Sequence, residues 1–149
     1  RRVLFRSDLL HEVVVACGGE VFKGTGDGIM AVFSSSADAV RAAGQAQQRL
    51  ATEPWDGSVI KVRMGIDTGV AEYRNADYFG QPLNRACRVM SSGHGGQVLL
   101  TQDVVDDLEG SDARPVDRQS LGPHNYKGVG RLDVYQLLLD GLPRWWHRF

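Results

Sequence analysis

Cysteine, net charge and long apolar runs are all scarce in this chain. Only two cysteines, Cys17 and Cys87, occur among its 149 residues, too few for a disulfide framework, and no Cys/His pairing has zinc-binding spacing. With 17 Lys+Arg against 18 Asp+Glu the formal net charge is -1, which argues against a broad basic footprint for nucleic acid. The longest apolar stretches fall far short of the ~20 residues that a membrane span requires. A signal-peptide pattern, internal repeats and low-complexity linkers are absent as well. These absences predict a reduced, cytoplasmic domain with no nucleic-acid or membrane partner in the visible chain. What is present suits one domain, since a chain of ~150 residues buries roughly 68–70% of its unfolded surface without a staple. The 42% hydrophobic and 23% charged residues exclude a disordered chain. Glycine is the one conspicuous count, at 18.

Periodicity orders the chain. Leu9, Leu10, Val13 and Val14 share a helical stripe within Asp8 to Cys17, and Gly18-Gly19 ends it. Two strands, Glu20 to Gly26 and Ile29 to Ser34, join at Asp27-Gly28, a common hairpin dipeptide. Ser35 or Ser36 caps a helix that buries Ala37, Val40, Ala43 and Leu50. Val59 to Gly69 alternates as a strand, Val70 to Tyr73 continues it after a bend, and Arg74 to Phe79 reads as a polar loop. Pro82 opens a helix presenting Leu83, Ala86, Cys87 and Met90 inward. Beyond Gly93 come a strand at Gln97 to Thr101 and a helix at Val104 to Leu108. Strands near Val116 to Leu121 and Leu132 to Leu138 close the pattern. Interleaved helices and hairpins predict an α/β (α+β) domain, a mixed sheet with helices on one face.

Two constellations can carry chemistry. Lys23 and Asp27 frame a glycine-rich hairpin tip, where a carboxylate suits a hard cation such as Mg²⁺. An ordinary Asp-Gly turn explains the same residues. No Gly-Lys-Ser/Thr follows, so the segment is not a P-loop. Asn84 and Arg88, at i and i+4, project from one helix face, where an amide and a guanidinium can hold a sugar hydroxyl and a phosphoryl oxygen. A solvated helix face explains that pair equally, and Asp77 alone is only a loop carboxylate.

The joint pattern decides between these readings. Lys23, Asp27, Asp77, Asn84 and Arg88, in that spacing, resemble the class III adenylate/guanylate cyclase catalytic domain. The text between them matches too: Gly-Gly-Glu-Val-Phe-Lys, Gly-Asp-Gly-Ile-Met-Ala-Val-Phe, Val-Arg-Met-Gly-Ile-Asp-Thr-Gly and Asp-Tyr-Phe-Gly. The resemblance runs from about Asp8 to Leu138. It implies a ferredoxin-like core, two copies paired head to tail as a homodimer, and conversion of ATP to 3′,5′-cyclic AMP and pyrophosphate. It also implies two Mg²⁺ or Mn²⁺ ions in the complete site. On that basis Asp27 resembles a metal carboxylate, and Lys23 with Asp77 the pair that reads adenine rather than guanine. Asn84 resembles the ribose-orienting amide, Arg88 the residue that meets charge on the α-phosphate, and Lys127 a lysine for the terminal phosphates. A surface-turn lysine is the other reading of Lys127.

The sequence also departs from that family. The strand carrying a first metal Asp, and the phosphate loop after it, are not found ahead of Asp8, so the expected fold lacks its first strand. Residues 1–7 are expected to be a foreign leader, residues 8–139 the cyclase domain, and residues 140–149 a tail out of frame or opening a linker. The chain as written is accordingly expected to turn over little or no ATP. The alternative is a catalytically silent, nucleotide-binding and dimerising regulatory domain.

Overall fold

Helix α1 (Arg2–Ala16) buries Leu9, Leu10, Val13 and Val14, the stripe that the spacing predicts. The computed structural model describes residues 2–25, 28–53 and 61–142, with side chains from Asp8 onward except Thr25. The helix starts ahead of Asp8, so its first turns run through the segment expected to be a leader. It stops where glycine permits: Gly18 takes φ +81° and donates to the Val15 carbonyl at 3.0 Å, while Gly19 donates to the Val14 carbonyl at 2.8 Å. That paired closure satisfies two helix-end carbonyls and turns the chain into β1 (Glu20–Thr25).

Strand β1 pairs antiparallel with β2 (Gly28–Val32), with an extra residue at Phe22 between Val21 and Lys23. The Ser35 hydroxyl then accepts from the Asp38 amide at 3.2 Å and caps α2 (Ser36–Thr52). One side of α2, through Ala42, Ala46 and Leu50, packs on α1, with Ile29 and Phe33 of the hairpin region against the same cluster.

The other side of α2 faces the main sheet. It comprises β3 (Met64–Ile66), β6 (Val98–Thr101), β7 (Arg118–Tyr126) and β8 (Gly130–Leu137), in the order β3-β6-β8-β7. Strands β3 and β6 are parallel and the remaining pairs antiparallel, which makes the sheet mixed as expected. Between β3 and β6 lie a small hairpin, β4 (Glu72–Arg74) and β5 (Asp77–Phe79), and helix α3 (Gln81–Ser91). Helix α4 (Gln102–Glu109) follows β6 directly, with Thr101 as its cap.

Three expectations change. Helices cover both sheet faces rather than one. Val98 and Leu100 meet α2 and α4, whereas Leu99 and Val134 meet Val89 of α3. All four residues of β6 are buried, the continuous apolar run of a strand covered on both sides. The strand expected from Val59 shortens to Met64–Ile66, because the Val62 carbonyl finds other partners: the Gly96 amide at 2.8 Å and the Gln47 side chain at 2.7 Å. Residues 59 and 60 lie outside the described residues. Finally, the segment read as a bend and polar loop is the hairpin β4–β5, turning on Asn75 and Ala76 with φ of 52° and 61°. Two left-handed central residues give the turn whose twist matches paired strands.

Candidate active site

Lys23 and Asp77 come from separate hairpins and meet. The extra residue at Phe22 re-aims the strand at Lys23. The Lys23 ammonium then lies 3.7 Å from the Asp77 carboxylate. Asp77 opens β5 immediately after the Asn75-Ala76 turn, and its other oxygen accepts from the Tyr78 amide at 2.8 Å. Beside the ion pair, the rings of Phe22 and Tyr78 meet edge to face at 5.0 Å. Tyr78 is also flanked by Tyr73 across the hairpin at 4.8 Å. An apolar contact thus holds the two hairpins together and leaves a charged pair half open to solvent.

Asn84 and Arg88 are both exposed on α3. Among the described residues neither side chain makes an ion pair or side-chain hydrogen bond, so the amide and the guanidinium are available to a ligand. The helix beneath them is fixed closely. Gly65 of β3 faces α3 so tightly that an added Cβ would stand 2.5 Å from the Ala86 carbonyl oxygen and 2.7 Å from the Met90 nitrogen. The fully buried residue of α3 is Val89, while Leu83, Ala86, Cys87 and Met90, expected inward, are only partly buried. The buried face of α3 is centred one residue away from where the periodicity placed it.

That shift matters for Arg85, which precedes Val89 by one turn. Its sequence context suggests a solvated helix-face charge or one facing a dimer partner, but in the structure it reaches Asp67, just beyond β3, with its Nε 2.5 Å from Oδ2. The second Asp67 oxygen accepts from the Thr101 hydroxyl at 2.7 Å. Sequence reasoning missed this cluster. The signal available was the i,i+4 spacing of Arg85 from the apolar Val89.

Lys127 is exposed in the turn between β7 and β8. Tyr126 beside it is buried and its hydroxyl lies 2.9 Å from the Ser92 hydroxyl at the end of α3. The Ser92 hydroxyl also lies within hydrogen-bond distance, 2.7 Å, of the Val89 carbonyl. Burial raises the Tyr126 phenol above its ordinary pKa, with the Ser92 hydrogen bond pulling the other way.

Asp27 lies outside the described residues. Among the described residues no group of three or more His, Cys, Asp or Glu side chains could hold a metal ion. These donors therefore do not by themselves form a divalent-cation site. Cys17 is buried and free, with its thiol 3.6 Å from the side-chain amide oxygen Oε1 of Gln45. No helix among the described residues is long and apolar enough to cross a membrane.

Comparison with known proteins bears on this arrangement. The profile described as "Adenylate and Guanylate cyclase catalytic domain" matches residues 17–139. The receptor-type adenylate cyclase GRESAG 4.2 of Trypanosoma brucei brucei is 38% identical over 90 residues, covering 56% of this chain and 15% of that protein. The putative adenylate cyclase 3 of Rhizobium meliloti is 29% identical over 128 residues, covering 83% of this chain and 21% of that protein. This chain thus spans only a small part of the length of the curated relatives it matches. Among solved structures, an adenylate/guanylate cyclase/hydrolase from Silicibacter pomeroyi superposes with a TM-score of 0.79 at 26% identity, covering 95% of this chain and 85% of that one. A Trypanosoma brucei adenylate cyclase in its monomeric state shares the fold, with a TM-score of 0.82 at 22% identity over 91% of this chain and 76% of that one.

Proposed function

This chain belongs to the family of adenylate and guanylate cyclase catalytic domains, and from that premise we propose that it is an adenylate cyclase domain acting on ATP at a homodimer interface. The observation that carries the choice of nucleotide is the Lys23–Asp77 pair at 3.7 Å. Adenine offers an exocyclic amino donor beside ring-nitrogen acceptors, whereas guanine offers a carbonyl acceptor in the amino position. Lys23 donates to the ring nitrogen and Asp77 accepts from the amino group. Guanine reverses the pattern at the Asp77 side and leaves polar groups unpaired, at a cost of about 1–3 kcal/mol each.

The exposed α3 pair handles the rest of the nucleotide. Asn84 orients the ribose so that its 3′-hydroxyl faces the α-phosphate, and Arg88 donates to the phosphoryl oxygens as negative charge builds there. Lys127 takes the terminal phosphates as a point charge. Asp27 is the carboxylate that would hold Mg²⁺ or Mn²⁺, which would neutralise charge on the phosphates. The openness of Lys23, Asn84 and Arg88 in the single chain supports a site completed by a second copy. A lone domain presents these groups to water rather than to a closed pocket.

A cyclic AMP assay with ATP and Mn²⁺ across a range of protein concentrations tests this reading. Slow product formation, with a rate per chain that rises with concentration, is expected. ATP binding without any cyclic AMP would move the domain to the silent regulatory class instead.

A further inference from the structure

We infer that Asp67 and Arg85 form a latch that sets the rotation of α3 and so the direction in which Asn84 and Arg88 point; this rests on the cyclase reading of those two residues. The Asp67 side chain is fully buried at 0% exposure, and both of its oxygens are engaged. One accepts from Arg85 Nε at 2.5 Å, the other from the Thr101 hydroxyl at 2.7 Å. Thr101 ends β6 and caps α4, accepting from the Val104 amide. Arg85 extends the cluster further, with its Nη2 3.5 Å from the Thr68 carbonyl and 3.9 Å from the Asp103 carboxylate. One carboxylate therefore ties the end of β3, the start of α4 and the flank of α3.

The geometry separates two jobs. Gly65 against the α3 backbone fixes how near the helix lies to the sheet. Val89, buried against Leu99, Tyr126 and Val134, already turns one face of α3 to the sheet, and a polar anchor on its flank narrows the rotation that remains. Arg85 is that anchor, one residue after Asn84 and three before Arg88. Because residues on a helix turn together by about 100° per position, holding Arg85 holds both neighbours. A buried ion pair is also a poor device for stability alone, since apolar residues of equal volume often do as well. What it adds is direction. Asp67 and Arg85 are thus positioning residues that act through α3.

Arg85→Met, Arg85→Lys and Asp67→Asn test the latch in the purified chain. The readouts are kcat and KM for cyclic AMP formation, ATP affinity by titration, and hydrogen exchange of the α3 amides. Arg85→Met is expected to lower kcat about 10- to 100-fold, the scale of an ångström-sized misplacement, with KM and ATP affinity within about threefold of wild type. Arg85→Lys, which keeps the charge, is expected to recover part of kcat, and exchange in α3 is expected to quicken in Arg85→Met and Asp67→Asn. Asp67→Asn preserves the side-chain shape and serves if Arg85→Met does not fold. A folded variant with wild-type kcat, or one whose ATP affinity falls in step with kcat, overturns the latch. Where turnover lies below detection, unchanged α3 exchange in Asp67→Asn overturns it instead. A wild-type chain that neither binds ATP nor forms cyclic AMP overturns the cyclase reading itself, which the exchange result does not do.

Discussion

The two ends of the candidate site are built to different standards of rigidity. Lys23 and Asp77 stand on two-stranded hairpins outside the main sheet, joined by an aromatic edge contact and a half-exposed ion pair. Asn84 and Arg88 stand on a helix pressed against β3 at Gly65 and pinned through Asp67. Small hairpins are marginal elements, whereas a helix docked on a doubly covered sheet is not. The contrast matches the two tasks proposed for these ends. Base recognition tolerates adjustment as the purine enters, but alignment of a hydroxyl with a phosphorus atom does not.

Breaking the rigid end has the largest expected effect. Arg88→Ala should lower kcat/KM about 10²- to 10³-fold, the usual scale for removing a donor aimed at developing charge. Its melting temperature should stay near wild type, because the side chain is exposed on the surface of α3. Equal loss of activity and stability in a thermal melt would show that Arg88 supports the fold instead. Gly65→Ala attacks the same end through its foundation. The added methyl meets backbone atoms of Ala86 and Met90, which cannot swing aside. A destabilisation of about 1–3 kcal/mol is expected from such overpacking. In a domain of this size that lowers the melting point by about 2–4 °C for each kcal/mol. On the proposed reading the hairpins contribute base recognition, so ATP affinity should change less than turnover does. A calorimetric scan and a binding titration on one sample separate the two effects.

What the sequence revealed follows the same division. Local chemistry was legible: the Ser35 cap, the Gly18-Gly19 stop and the pairing of Glu20–Thr25 with Gly28–Val32 each rest on neighbours within a few residues. So was the spacing that brings Lys23 and Asp77 into one reading, although their contact depends on a bulge at Phe22 that no local signal marks. The hairpin β4–β5 was illegible because Ala76 adopts a left-handed conformation that its side chain disfavours, and the contacts that support it, such as Tyr73 on Tyr78 and Phe22 on Tyr78, lie across strands. Arg85 was misread because its partner, Asp67, lies eighteen residues earlier, on the far side of a hairpin. Short strands hid for a related reason: β3 owes its pairing to β6, a partner more than thirty residues along the chain.

The smallest expected effect lies beside the Lys127 turn. Tyr126→Phe removes the hydrogen bond to Ser92, worth about 0.5–1.5 kcal/mol. The tyrosine's own pKa is raised in the folded state, first by burial. Its contribution to stability is therefore fully present below the unfolded value of about 10 and is lost as pH rises through the folded value. Melting curves of wild type and Tyr126→Phe should differ at pH 7 and converge above about pH 10. A constant gap across that window would remove Tyr126 as the titrating group.

The central claim is that Lys23 and Asp77 select the base. Replacing both, Lys23→Glu with Asp77→Ser, and titrating ATP and GTP against wild type and variant tests it most directly. Wild type is expected to favour ATP, and the variant to lose that preference or reverse it, a relative shift of about 10- to 100-fold. Unchanged preference for ATP in a folded double variant would contradict the account.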